Sequence, residues 1–408
     1  MEGLPTELLC MVVSHLPMDM IGIAARTNKA LYSCSPPELR DKLSLRRVCS
    51  SVAFLRWALE EQGYQLNEKT CAVAAGEGQL AVLQWARAQG CPWNSQACSN
   101  AAERGHLPLL RWLRQKGCPW DQGTCIQAAR NGHLEVLRWA RAGGCGWQLA
   151  TCLMAASHNG HLHVLKWFYE NRANCFEHRD ICRVAARNGH LAVLKWLRLV
   201  GYHWDRWTCT DAALNGHLEV LEWAWENGCP RDHSICRCAA QSGHLEVLRW
   251  AREHADCPWD ETTCLDAAQN GHFEVLKWAR EHGCPWDERT CRAAAGRGDL
   301  GTLKWARENG CRWNETTASA AAFNGHLEVL QWVREEGCPW DEQTCSSAAV
   351  SGHLDVLEWA RENGCPWDKV TWEKVQRWPE MRRYALENGC PKGKDGDKSE
   401  VERFARLF

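Results

Sequence analysis

Apolar positions along most of this chain follow two spacings inside one unit, and the unit itself recurs every 27 residues, stretching in places to 28 or 29. From Leu134 the chain reads L-E-V-L-R-W-A-R. At about 100° per residue, Leu134, Val136, Leu137, Trp139 and Ala140 spread over an arc of roughly 220°, leaving only Glu135, Arg138 and Arg141 outside it. So wide an apolar face predicts a helix buried on more than one side. A shorter helix precedes it in each unit. In D-E-R-T-C-R-A-A-A-G-R-G from Asp287, an acid opens a run of helix formers and glycine closes it, so Asp287 is the expected N-cap. Trp286 and Cys291 flank that cap with the spacing of a hydrophobic staple, and the Trp-Asp start recurs at Trp120, Trp259, Trp340 and Trp367. Alanine pairs (Ala128 and Ala129, Ala212 and Ala213, Ala267 and Ala268) leave little side chain between this first helix and its neighbours, which predicts close packing. Asn-Gly at 227–228 and 309–310 supplies a left-handed cap, and Pro230 forbids continuation.

Gly-His pairs end at His106, His133, His161, His190, His217, His244, His272, His326 and His353, with Gln79 and Asp299 filling the two gaps in register. Eleven complete units follow, their first helices starting near Thr70, Ala97, Thr124, Thr151, Ile181, Thr208, Ile235, Thr263, Thr290, Thr317 and Thr344. Val48–Asn67 supplies only a second helix around Trp57, and 369–391 is a worn unit with Tyr384 in the usual Trp place. A period this regular predicts an all-α solenoid, which grows by adding units and so suits 408 residues better than one globular core. The domain reading is 1–47, a separate helical segment; 48–391, the repeats; and 392–408, a charged tail.

The net charge of −2 and pI near 6.8 give no basic footprint for a phosphate backbone, so nucleic acid is not the expected partner. No early basic cluster marks a signal peptide and no apolar run reaches membrane-spanning length, so the expectation is a soluble chain inside the cell, in cytoplasm or nucleus.

Twenty-five cysteines invite a metal or disulfide reading. Eight pairs recur seven residues apart, Cys91 with Cys98 being the first, yet Tyr202 replaces one member while Cys209 is kept, and Ala318 replaces another while Cys311 is kept. Positions that tolerate such exchange read as small buried hydrophobes with weak thiol donors in a reducing compartment. No metal and no cofactor is expected. Nor does any aperiodic Ser-His-Asp or Cys-His set, Gly-rich phosphate loop or His-Glu-x-x-His occur, so no residue is a catalytic candidate. The repeated histidines read as turn-stabilising hydrogen-bond partners and the repeated tryptophans as core.

Thr-Cys-x-x-Ala-Ala-x-x-Gly-His-Leu-Glu-Val-Leu-x-Trp-Ala-x-x-x-Gly-Cys resembles the ankyrin repeat over about residues 48–391. Relative to the usual 33-residue unit, the missing residues fall between Asp287 and Thr290, where that family carries its β-hairpin finger, so little or no strand is expected. Thr-Cys also replaces the family's Thr-Pro-Leu-His start. Residues 4–32 lack the repeat and resemble an F-box through Leu4, Pro5, Leu8, Leu9, Val12, Leu16 and Pro17. That resemblance implies docking on the Skp-type adaptor of a cullin ubiquitin ligase; the alternative is a polar-faced cap for the solenoid. An F-box ahead of Trp-rich short ankyrin units is similar to proteins of giant DNA viruses and some algae, which would place the chain in a host cell if it is viral.

Function is expected where the units differ. The residue after Thr-Cys varies (Ile126, Arg183, Arg237 and Arg292 among others), as does the residue after the alanine pair (Arg130, Arg187, Leu214 and Phe323). Resemblance to ankyrin arrays places these on the concave side, and Arg130, Arg183, Arg187 and Arg237 would make its middle basic. The leading expectation is a non-catalytic substrate receptor of a ubiquitin ligase. A binding scaffold with no ligase link is the alternative, and a zinc or redox array the rival from another class.

Overall fold

At the start of each first helix, a short polar side chain turns extended backbone into helix. Asp287 (φ −136°, ψ −172°) accepts from the Arg289 amide at 3.0 Å, and the helix Glu288–Arg297 follows. Asn94, Asp121, Asp260, Asn314 and Asp341 repeat this cap ahead of Ser95–Glu103, Gln122–Arg130, Glu261–Asn270, Glu315–Phe323 and Glu342–Ser351. Gln148 makes no side-chain cap bond before Leu149–His158. The computed structural model describes residues 45–171, 180–230 and 234–392. Helix starts fall two or three residues ahead of most of the Thr-Cys positions, because the cap and first turn precede them.

Second helices such as Leu134–Ala142, Phe273–Glu281 and Leu327–Glu335 run antiparallel partners to the first, as the periodicity requires. Val136, Leu137 and Ala140 are buried, while Leu134 and Trp139 at the edges of the apolar arc are half-buried. The leading helix Val52–Gln62 and the worn pair Lys369–Val375 and Pro379–Glu387 stand where the sequence puts them, and one further turn of helix, Leu45–Val48, precedes the first of these. Among the described residues no strand forms, in keeping with the missing finger. None of the helices described is long and apolar enough to cross a membrane.

The chain divides into two units, residues 1–203 and 204–408. In each, the first helices carry the tightest packing. Ala101, Ala102, Ala128 and Ala129 of one unit, and Ala294, Ala295, Ala321, Ala322, Ala348 and Ala349 of the other, are fully buried, so backbones approach with only methyl groups between them. In the second unit small side chains from Cys291 to Cys390 form one continuous core, with Leu303, Leu330, Leu357, Trp372 and Met381 as its large members.

The tryptophans depart from the sequence expectation. Of those described, only Trp278 and Trp372 are buried; the others form a half-buried outer layer, apart from exposed Trp207.

Candidate functional site

The repeated residues are consumed by the scaffold. Arg141, outside the apolar arc, donates to the Cys145 carbonyl at 3.0 Å and sets its Cζ 3.9 Å from the centre of Trp147. Arg280 does the same to Cys284 and Trp286, at 3.1 and 4.7 Å. Trp286 in turn meets Trp305 edge-on at 5.7 Å, and Trp120 meets Trp139 at 5.5 Å. Trp93, Trp120, Trp147, Trp259, Trp286, Trp313 and Trp340 are thus each held between a guanidinium of the preceding second helix and the Trp of the next. This explains why Trp is required at a half-buried place: both of its faces are used. Tyr384 fills the same role against Trp367 at 6.3 Å.

The cysteines meet in space 20 residues apart in the chain, not seven. A first-helix thiol meets the thiol of the turn that closes its own unit: the Sγ atoms of Cys71 and Cys91 lie 3.4 Å apart, and Cys264 with Cys284 and Cys291 with Cys311 repeat the contact. The reason is that the turn after a second helix folds back on the first helix of its own unit. The turn thiol also donates to the carbonyl of the preceding cap residue: Cys145 to Asp121 at 3.2 Å, Cys311 to Asp287 at 3.3 Å. Where Ala318 removes the first thiol, Cys338 keeps its bond to Asn314 at 3.4 Å. Burial pushes Cys338, like Cys49 and Cys152, up to about 12. The hydrogen bond to Cys91, and then burial, hold Cys71 far above the usual thiol range. Such thiols are inert at neutral pH. Among the described residues no three His, Cys, Asp or Glu side chains gather to hold a metal ion.

The Gly-His histidines bond to the neighbouring turn rather than to their own. His133 lies across Gly105 of the preceding repeat and bonds the Glu103 carbonyl through Nε2 at 3.0 Å; His272 does so to Gln241 at 3.2 Å. Burial lowers the pKa of His161 and of His244, which keeps both rings neutral. Where Asp299 replaces the histidine, Asp299 caps its own helix by accepting from the Thr302 amide at 2.9 Å. Arg297 then takes the vacated place, lying over Gly271 and donating to the Gln269 carbonyl at 3.2 Å.

The aperiodic side chains lie on the first helices. Arg130, Arg187, Arg237, Arg292 and Phe323 are exposed, and Ile126, Arg183 and Leu214 are half-buried. The position after Thr-Cys is less open than its variability suggests, since Ala72, Ser99, Leu153 and Thr210 are buried there. The position after the alanine pair is the more exposed of the two, although Ser157 is buried and donates to the Ile181 carbonyl at 3.0 Å. Nor is Arg237 available as a free positive charge: its Nε lies 2.6 Å from Oδ2 of Asp266, a carboxylate at 11% exposure.

Among the described residues, the cavities that open on this face include a large one in each unit. In the first unit a volume of about 480 Å3 is lined by Arg130, Met154, His158 and Val184. In the second, about 500 Å3 is lined by Leu265, Gln269, Arg292, Gly296, Ser319 and Phe323, all of them variable positions, together with Arg297 and Asn324. Met154, His158 and Arg297 were missed from sequence. Arg297 left a signal, because it stands where most other units carry Asn and its turn also lacks the histidine. Ile126, Arg183, Arg187, Leu214 and Arg237 line neither cavity. Leu4, Pro5, Leu8, Leu9, Val12, Leu16 and Pro17 lie outside the described residues.

A family model described as ankyrin repeats (3 copies) matches residues 125–205. No curated protein matches the chain. Two solved structures of the pentatricopeptide repeat protein PPR10 with an 18-nt psaJ RNA element, one a cysteine-to-serine variant, are similar at 14% identity and a TM-score of 0.33. The match covers 94% of this chain and 63% of each of theirs, so the chain spans less than two thirds of the length of those proteins. At that score the likeness carries no weight below. Two-helix units on a 27-residue register, with an ankyrin-repeat region over 125–205, make this an all-α helical-repeat protein.

Proposed function

We propose that this chain is a non-catalytic protein-binding scaffold whose recognition surface is the first-helix face. The observation that carries this reading is the division of labour among side chains. The repeated Cys, His, Trp and Arg residues spend their polar atoms and ring faces on one another, whereas the aperiodic first-helix residues line the cavities of about 480 and 500 Å3. A surface that discriminates partners must be built from residues the scaffold does not fix.

A photo-crosslinking amino acid at Arg130, Gln241 or Phe323 tests this in the tagged full chain. Adducts to one protein from these positions, and none from the outward second-helix positions Glu135 and Glu274, are expected. Adducts from the second-helix positions alone would overturn the reading.

A finer reading adds the ubiquitin ligase: residues 4–32 dock on a Skp-type adaptor and the scaffold presents its target for ubiquitin transfer. It is supported by the Leu-Pro pattern at Leu4, Pro5, Leu16 and Pro17. Captured adaptor should disappear when Leu8→Asp and Leu9→Asp are combined. Capture that survives the double change, or an intact chain that brings down no adaptor, removes the ligase and leaves the scaffold.

A further inference from the structure

The cavity of the second unit has a chemistry of its own. Two guanidinium groups, Arg292 and Arg297, stand in its lining, and no carboxylate does. Arg297 is oriented by its bond to the Gln269 carbonyl. Arg292 lies at an exposed first-helix position. Beyond them Phe323 leaves 47% of its surface in solvent, and Val350, at the equivalent place one repeat on, leaves 39%. An exposed aromatic at a register that elsewhere carries Gly, Glu, Arg, Ser, Leu, Gln or Val is not needed for packing. Hydroxyl and amide groups of Ser319 and Asn324 lie between the two ends.

We infer that this cavity takes an extended acidic segment of a partner protein, with a carboxylate on Arg292 and Arg297 and an apolar side chain on Phe323. The inference rests on the scaffold reading and names the partner's chemistry. Charge complementarity fixes the sign, since a site with two cations and no anion selects an anionic ligand. The exposed ring makes the ligand more than a phosphate: it needs an apolar group close to the charge. Arg292 and Phe323 sit on first helices of adjacent repeats, and packed helices lie about 8–10 Å apart. At about 3.3 Å per residue of extended chain, the acidic and apolar residues are two or three positions apart.

A random dodecapeptide library displayed on phage, selected against the immobilised full chain, tests this. The expected result is enrichment of sequences with Asp or Glu two or three residues from Leu, Ile, Phe or Trp. The selected peptides, made synthetically, should bind about tenfold or more weakly to Arg292→Glu and to Phe323→Ser, a loss of about 1.4 kcal/mol. Both substitutions are at exposed positions, and an unchanged thermal midpoint checks that each variant folds. No acidic-apolar enrichment, or enriched peptides that bind both variants as well as the parent, overturns the inference. So does a uridine dodecanucleotide that competes for the same residues, which would make the cavity a nucleic-acid site. First-helix crosslinks to a protein partner that persist in Arg292→Glu would leave the scaffold standing while this inference fell.

Discussion

Glycine and histidine illustrate at the scale of the single residue how neighbouring repeats are tied. Gly310 and Gly325 are both left-handed, at φ +83° and +75°, yet only one is overlaid by a neighbour. A Cβ at Gly310 would meet nothing within 4 Å, whereas one at Gly325 would lie 2.5 Å from Nδ1 of His353 in the next repeat. Gly310→Ala should therefore lose about 1 kcal/mol, from backbone strain alone. Gly325→Ala should lose more, about 2–3 kcal/mol, because the imidazole must also be displaced. Urea denaturation compares the two, and equal losses would mean that the histidine contact contributes nothing. The glycine was legible from sequence because a Gly-His pair between two helical patterns marks a left-handed turn. The histidine's partner was not legible, since periodicity says which residues recur and not which repeat each one touches. The same limit hid which thiols meet, and it placed the tryptophans too deep: amphipathic arcs count apolar residues without showing that Arg141 and Arg280 would cover Trp147 and Trp286.

A different logic governs the element, where one turn can be rebuilt by paired substitutions. Asp299 caps Leu300–Glu308 while Arg297 occupies the histidine place over Gly271. Asp299→His alone should be destabilising by about 1 kcal/mol, since it removes the cap and sets two side chains competing for one glycine. Adding Arg297→Asn, which restores the common Asn-Gly-His turn, should recover most of that loss. A double-mutant cycle by chemical denaturation reads the coupling, expected at about 0.5–1 kcal/mol; strictly additive losses would show that the two residues act independently. Helix starts and stops were the most legible feature of the fold, because Asp or Asn caps and glycine stops act within one turn. The cavities were legible only in part. Variability singled out Arg130, Arg292 and Phe323, which line the cavities, but also Ala72, Ser99 and Thr210, which are buried.

Across the whole molecule the buried thiols set a limit on the alkaline side. Burial raises Cys49, Cys152 and Cys338 from an ordinary 9.0 to about 12. The unfolded chain then loses these protons first and binds fewer than the native one, so stability falls as pH rises. It should be constant in this respect below pH 9 and be lost progressively between pH 9 and 12. Thermal midpoints recorded from pH 7 to 11 should drop above pH 9, with a smaller drop in Cys338→Ala; an identical drop in that variant would place the effect elsewhere.

The recognition surface is likewise a property of the whole, because it exists only where several first helices lie side by side. Two resurfaced full-length chains compare it with the outer face most directly. One carries Ser at Arg130, Arg187, Gln241, Gln269, Arg292, Phe323 and Val350. The other carries Ser at Glu135, Arg138, Glu219, Glu246, Glu274, Lys304 and Glu328, which are exposed on second helices. Titrated with the protein partner identified by crosslinking, the first chain should bind about 100-fold or more weakly at an unchanged thermal midpoint, and the second should bind as the parent does. Full binding by the first chain, or loss confined to the second, would contradict the assignment of recognition to the first-helix face.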